Sequence, residues 1–122
     1  MKSPLPRIAY QRNAEIYRLM ANPVRLEILN SLKVRDYSVE ELVDQLNLRK
    51  ANVSQHLAVL RQAGLVVARR EGRSVYYAIS DPRIVEPCAI LYRMWSRGDK
   101  STLRQALRQP GEARPRAATR AR

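Results

Sequence analysis

Residues 48–65, LRKANVSQHLAVLRQAGL, are the stretch of this 122-residue sequence that decides its fold. Gly64 predicts the end of a helix in this stretch, because a residue without a Cβ readily adopts the left-handed conformation that closes a helix C-terminus. The apolar residues before and after it recur at helical spacing and predict a helix with one buried face. They are Val53, Leu57, Leu60 and Leu65.

The opposite face of this helix has side chains of another kind: Lys50, Asn52, Ser54, Gln55 and His56. Most are uncharged and rich in hydrogen-bond donors and acceptors, whereas a merely solvated helix more often shows Glu–Lys pairs four residues apart. Asn and Gln can bond adenine edges in a DNA major groove, which is wide enough to admit a helix. The pattern predicts a recognition helix; an ordinary polar helix is the alternative that this segment alone leaves open.

The composition narrows the class of protein. Lys and Arg number 23 against 11 Asp and Glu, a formal charge of +12 that favours a polyanionic partner, nucleic acid rather than membrane. The length predicts one domain. No apolar run approaches the ~18 residues of a membrane span and no signal-peptide core is present, so a cytoplasmic protein is expected.

Catalytic and cofactor chemistry are not expected. One Cys excludes an intrachain disulfide or a zinc site built from several thiolates of one chain. One His, one Cys and no paired carboxylates assemble no catalytic constellation, so the sequence predicts neither an enzyme nor a cofactor.

Three helices are predicted before the opening segment. The first runs from about residue 8 to 21, after an N-terminal arm (residues 1–7) whose two prolines predict flexibility. Asn22 followed by Pro23 predicts the start of the second, because Asn caps a helix and Pro suits its first position. Ser38 and Glu41 have the spacing of a capping box and predict the third.

After Gly64 the apolar pattern alternates, which predicts strands over residues 65–69 and 74–79. Gly72 supplies the positive φ that the turn at residues 70–73 requires. Tyr76 and Tyr77 should face opposite sides of the second strand, one of them in the core. Because an isolated hairpin is marginal in water, this one must pack on the helices.

A last helix is predicted from Asp81-Pro82, with Pro87 either kinking it or marking its true start. An apolar stripe at spacings of four, three and four suits packing against a partner helix. Its members are Ile84, Cys88, Leu91 and Trp95. Residues 8–97 are thus predicted to form the domain, and residues 98–122 a basic, largely disordered tail.

Helices, an exposed polar helix and a basic hairpin, in this order, predict a mainly α fold with a small β-hairpin, the winged helix-turn-helix. At this point the residues also resemble the ArsR/SmtB transcriptional repressors. The matching text lies between residues 14 and 80: MANPVRLEILNSL (20–32), SVEELVDQL (38–46), VSQHLAVLRQAGLV (53–66) and RREGRSVYYAIS (69–80).

The resemblance implies a repressor that dimerises through its first and last helices and sets two recognition helices into a palindromic operator in double-stranded DNA. By position, the recognition helix would contribute Arg49, Lys50, Asn52, Ser54, Gln55 and His56, and the wing Arg70, Gly72 and Arg73. The dimer interface would include Ile8, Ile16, Ile84, Cys88, Leu91 and Trp95. Arg49-Lys50-Ala51 replaces the family's frequent Ser followed by Gln or Pro, so the start of this helix is expected to contact phosphates.

Many relatives release DNA on binding metal, but neither family metal site is expected here. The Cys-Val-Cys positions read Ser38-Val39-Glu40, without a soft thiolate. At the second site Asp81 is followed by Arg83, and Met94 and Arg97 fall near the later ligand positions, which leaves zinc one carboxylate. The sequence therefore predicts no metal and leaves the inducer unidentified.

Two alternatives remain open at this stage. Cys88 is expected to be a small apolar residue of the dimer stripe, with a thiol-based redox-responsive repressor as the alternative, although related thiol sensors use two cysteines per chain. The whole protein could instead be an architectural or RNA-associated binder with little sequence preference. Asn52 and Gln55 favour specific DNA recognition.

Overall fold

The computed structural model describes residues 2–96, so the predicted basic tail (residues 98–122) lies outside the described residues. The helices are α1 (Arg7–Met20), α2 (Pro23–Val34), α3 (Val39–Leu46), α4 (Lys50–Gln62) and α5 (Glu86–Ser96). The strands are β1 (Tyr37–Ser38), β2 (Val66–Glu71) and β3 (Ser74–Ile79), and a 3₁₀ turn covers Pro82–Val85. Within the described residues the chain divides into two units at the boundary between Val85 and Glu86, and α5 belongs to the second.

The starts of α2 and α3 confirm the two capping predictions. The Asn22 side-chain oxygen accepts hydrogen bonds from the backbone N–H groups of Val24, at 2.9 Å, and Arg25, at 3.1 Å. The Ser38 hydroxyl accepts from the Glu41 backbone N–H at 3.1 Å, while the Glu41 carboxylate accepts from the Ser38 backbone N–H at 3.0 Å. Both helices therefore begin where local side chains satisfy N–H groups that the helix itself leaves unpaired.

The apolar stripe of the opening segment forms much of the core of the first unit. All four of its predicted residues are buried, and α4 packs against α2, α3 and β2. Gly64 adopts a φ of +81° just after α4, as its predicted helix-ending role requires. The side chains that α2, α3 and the 3₁₀ turn contribute to this core are Ile28, Leu29, Leu32, Leu42 and Val85.

The hairpin forms, but its first strand continues beyond the predicted residue 69 to Glu71, and the sheet has a third strand that the sequence pattern missed. The antiparallel order is β1-β3-β2, with Tyr37 opposite Tyr77. A two-residue strand is too short to show alternation, so only its pairing with β3 reveals it. Pairing of β2 with β3 continues to the Glu71–Ser74 pair, so the turn is two residues long, with Gly72 at a φ of +63°.

The prediction that one of Tyr76 and Tyr77 lies in the core was wrong, because both side chains are only partly buried. Neither tyrosine is a fully buried core residue. The Arg69 guanidinium lies over the ring of Tyr76, 5.3 Å from its centroid.

Of the two starts left open for the last helix, the structure selects the one near Pro87. Residues 82–85 form a 3₁₀ turn and α5 begins only at Glu86. Pro87 therefore lies in the first turn of α5, where a helix does not need its missing N–H, and this decides between the two alternatives. Ile84 lies in the 3₁₀ turn, so it is not part of an α5 stripe with Cys88, Leu91 and Trp95.

Candidate nucleic-acid interface

The N-terminal half of α4 presents an exposed polar surface. Arg49, Lys50, Asn52 and Gln55 are exposed, whereas Ser54 and His56 are partly buried. The first turn of α4 contains no acidic residue, and its N-terminal N–H groups have no side-chain cap. A helix N-terminus carries a partial positive charge, so this end of α4 favours an anionic partner.

Lys50 is not an isolated cation, because α3 supplies it with a carboxylate. Its Nζ lies 3.1 Å from Oε2 of Glu40, and both side chains are about two-thirds exposed. A hydrogen bond from the backbone N–H of Glu40 and then the hydrogen bond and charge of Lys50 hold the pKa of Glu40 below its usual value. Any phosphate that approaches Lys50 must compete with this carboxylate.

His56 is held by a residue that sequence reasoning missed. Nδ1 of His56 accepts a hydrogen bond from Nε of Arg25 at 3.0 Å, and Nη1 of Arg25 donates to the Leu19 carbonyl at 3.2 Å. Burial, and after it the charge of Arg25, lower the pKa of His56. Since Nδ1 accepts, the proton of the neutral imidazole is on Nε2. Arg25 precedes His56 by 31 positions, so no local pattern could have joined them.

The three arginines of the hairpin, Arg69, Arg70 and Arg73, have different surroundings. Arg69 forms ion pairs with Asp36 and, at 3.0 Å, with Glu71; these two hydrogen bonds raise the pKa of Arg69. Arg70 and Arg73 are exposed and form no ion pair with any residue between 2 and 96. The structure thus leaves Arg70 and Arg73 available to an anion and places Arg69 in a structural role.

The residues predicted for a dimer interface differ in exposure. On α1, Ile8 is exposed and Ile16 is partly buried; on α5, Leu91 and Trp95 are exposed and Cys88 is partly buried. The rings of Tyr92 and Trp95 pack edge to face, with centroids 5.2 Å apart. Both helices therefore present apolar surface without a fully buried residue of their own.

Asp81, the carboxylate at the second metal site of the family, is already hydrogen-bonded to Arg83. Asp81 accepts hydrogen bonds from the Arg83 backbone N–H at 3.0 Å and from Nη2 of the Arg83 guanidinium at 2.7 Å. These contacts lower the pKa of Asp81 to about 2. Across residues 2–96, no three His, Cys, Asp or Glu side chains are grouped as a metal site would require. In the same range no helix has the length and apolar character needed to cross a membrane.

Comparison with known proteins places this arrangement in one family. The family described as bacterial regulatory proteins of the arsR family matches residues 22–67. The HTH-type transcriptional regulator Rv0081 of Mycobacterium tuberculosis is 39% identical over 107 residues, which cover 85% of this chain and 94% of that protein. The transcriptional activator HlyU of Vibrio cholerae is 36% identical over 85 residues, covering 70% of this chain and 79% of its own length.

Solved structures agree with the sequence comparisons. The crystal structure of Rv0081 matches with a TM-score of 0.63, covering 79% of this chain and 93% of that one. The structure of HlyU from Vibrio cholerae matches at 34% identity with a TM-score of 0.66, covering 75% of this chain and 99% of the other. The chain described here therefore belongs to the ArsR family of winged helix-turn-helix, DNA-binding transcriptional regulators.

Proposed function

We propose that this chain is a repressor that binds a palindromic DNA operator as a homodimer and is released by a signal other than the family's metals. The observation that supports this most directly is the exposed polar start of α4, together with two wing cations, on the hairpin of the same compact unit, that have no ion-pair partner among residues 2–96. The start of α4 carries side chains suited to contacts in a DNA groove, and the hairpin carries side chains suited to phosphate contacts.

The exposed groups divide by chemistry into two kinds of contact. Asn52 and Gln55 offer paired donors and acceptors that suit base edges in the major groove. Arg49 at the start of α4 and Arg70 and Arg73 in the wing suit phosphate oxygens, which position a protein on DNA without specifying its sequence. Ser54 is partly buried beside them and can donate to either.

Exposed apolar side chains support the homodimer. Ile8 of α1 is 53% exposed, and α5 exposes a run of large apolar residues. Several large apolar side chains exposed on one helix, as on α5, mark a candidate interaction site. A second copy of the same chain would cover it and would bring two recognition helices to half-sites about 34 Å apart. The run on α5 consists of Ile90, Leu91, Tyr92, Met94 and Trp95.

The metal signals of the family fit this chain poorly. Ser38 stands at a family thiolate position and its hydroxyl is used in the α3 capping box, while Asp81 is bound by Arg83. Cys88 is partly buried, which suits a packing role. A thiol-responsive repressor is the alternative; it predicts that peroxide weakens DNA binding by the parent protein and not by Cys88→Ser.

The test begins by selecting bound duplexes from a randomised library with the full-length protein. A repressor should recover a two-fold symmetric consensus and prefer it over random duplex by about 10³–10⁷. Gln55→Ala should weaken binding to the selected duplex by about 1–3 kcal/mol and relax one base position. Gln62→Ala, at the exposed C-terminal end of the same helix, is the matched control and should bind as the parent does.

Two results would overturn the proposal. If selection returns no consensus, the protein is an architectural or RNA-associated binder. If Gln55→Ala binds both the selected and the random duplex as tightly as Gln62→Ala does, α4 does not read bases. The homodimer is tested separately by sedimentation, where Trp95→Asp should shift the protein from dimer to monomer and an unchanged dimer would contradict the interface.

A further inference from the structure

The Arg25 guanidinium joins two helices to the recognition helix. Arg25 lies in the first turn of α2, donates from Nε to Nδ1 of His56 on α4 at 3.0 Å, and donates from Nη1 to the carbonyl of Leu19 on α1 at 3.2 Å. Arg25 and His56 are both partly buried, so water competes less for these hydrogen bonds than at the open surface. Because His56 follows Gln55 directly, the contact acts on the part of α4 that is proposed to read DNA.

We propose that Arg25 is a positioning residue for DNA binding, because it holds α4 in its docking orientation through a hydrogen bond that only neutral His56 can accept. On this view His56 is a positioning residue rather than a phosphate contact. The inference rests on the proposed DNA-binding role of α4 and adds a pH dependence to it.

The hydrogen bond has a simple protonation requirement. Arg is always a donor, and neutral imidazole has one acceptor nitrogen, whereas imidazolium has none. Protonation of His56 therefore places two donors and two positive charges against each other. Burial and the Arg25 charge already lower the pKa of His56, so the folded protein favours the neutral ring.

Most of the charged groups on α3 and β2, which also pack against α4, have other partners. Glu40 of α3 is held by Lys50, Glu41 by Arg35 and Ser38, and Arg69 of β2 by Asp36 and Glu71. Asp44 of α3 and Arg70 of β2 are exposed. Within residues 2–96, Arg25 is the charged group that acts on the pKa of His56. His56 is also the only histidine in the chain, so any histidine titration of the protein is that of the His56 ring.

The sign of the pH effect separates this role from a direct phosphate contact. If His56 contacted a phosphate, protonation would add a cation to the interface and DNA binding would strengthen on acidification. If Arg25 and His56 position α4, protonation breaks their hydrogen bond and binding weakens on acidification. The two roles therefore predict opposite slopes.

The experiment measures binding of the full-length protein to the selected duplex at constant ionic strength, from about pH 8 to about pH 5.5, a range that spans the ordinary histidine pKa. His56→Gln is the conservative variant, because its amide oxygen can accept from Arg25 but does not titrate. Relative to His56→Gln, the parent should lose about 2- to 10-fold in affinity at the acidic end, the range expected for one hydrogen bond. Binding by the parent that strengthens on acidification, or that follows His56→Gln throughout, would overturn the proposal.

Arg25→Lys supplies the second test, because it retains the positive charge but cannot reproduce the two-point geometry of the guanidinium. It should bind the duplex more weakly than the parent at about pH 8, where the histidine is mostly neutral, and should not lose affinity further on acidification. If Arg25→Lys binds as the parent does at every pH, Arg25 does not position α4.

Urea unfolding of the free protein, at fixed protomer concentration, distinguishes failure of this inference from failure of the proposed function. A depressed His56 pKa contributes stability that is present above the unfolded pKa of about 6.5 and is lost as pH falls through the lower folded value. The parent should therefore lose more stability on acidification than His56→Gln, whether or not it binds DNA. Equal losses in both would reject the Arg25–His56 contact even if specific DNA binding is found.

Discussion

Replacing Glu40 with Gln should strengthen DNA binding, because Glu40 competes with phosphate for Lys50. The two side chains meet at 3.1 Å on the exposed faces of α3 and α4. Gln keeps the size and the polar surface of the side chain but cannot hold Lys50 as an ion pair. In the substituted protein, Lys50 should therefore neutralise a phosphate that the parent leaves to counterions.

The magnitude follows from counterion release. Each added phosphate contact steepens the dependence of log K on log salt by about 0.9. If the contact contributes nothing at about 1 M salt, it raises the affinity at about 0.1 M salt by roughly 8-fold. A dimer has two copies of the pair, so the upper limit is roughly 60-fold, with a slope steeper by about 1.8. Folding stability should change little, because both side chains are about two-thirds exposed and such surface pairs contribute weakly.

The assay is fluorescence anisotropy with the selected duplex and with random duplex over a series of salt concentrations. Asp44→Asn is the matched control, because it removes one exposed carboxylate from the same helix that is not paired with Lys50. Glu40→Gln should strengthen binding to both duplexes and steepen the salt slope, whereas Asp44→Asn should raise affinity less and leave the slope unchanged. Identical behaviour of the two variants would refute the competition for Lys50.

Three further substitutions test the wing, a helix cap and the core. Arg73→Ala should weaken binding to selected and random duplex alike and make the salt slope shallower by about one unit per subunit. The control is Lys33→Ala, at an exposed position of α2, and a loss confined to the selected duplex would instead assign base reading to Arg73. Asn22→Ala should lower the free energy of unfolding by about 1 kcal/mol and the Tm by roughly 4–8 °C, whereas Asn22→Asp should not; an unchanged Tm for the Ala variant would contradict the cap. Leu57→Ala, at a side chain 1% exposed, should reduce the unfolding free energy by about 2–5 kcal/mol in urea titration, and a change near zero would place Leu57 outside the core.

Features specified by neighbouring residues could be predicted from the sequence. Asn22 and Ser38 were recognised as caps because their partners lie within three positions, and Gly64 and Gly72 because the required φ belongs to the residue itself. The buried stripe of α4 was recognised for the same reason, since helical periodicity is a local property. Family resemblance then joined these local features into a winged helix-turn-helix.

The start of the last helix shows what local reasoning left open. Asp81-Pro82 has the residues of a helix cap and first turn, and these do begin a helical turn, but a 3₁₀ one that ends at Val85. Val85 is buried in the core of the first unit, and α5 begins at the next residue. A cap pattern specifies that a helical turn begins and does not specify how far it continues.

The sequence by itself determined the caps of α2 and α3, the buried stripe and polar face of α4 and the two strands of the hairpin, because each of these depends on residues within a few positions of one another. Only the tertiary structure decided which polar and charged side chains of α4 and the hairpin have partners and which remain exposed. It paired Lys50 with Glu40, Arg69 with Asp36 and His56 with Arg25, and left Arg70 and Arg73 of the wing without such partners within residues 2–96. The physical reason is that a side chain's charge and hydrogen-bonding capacity are set by its spatial neighbours, and packing brings these together from distant parts of the chain.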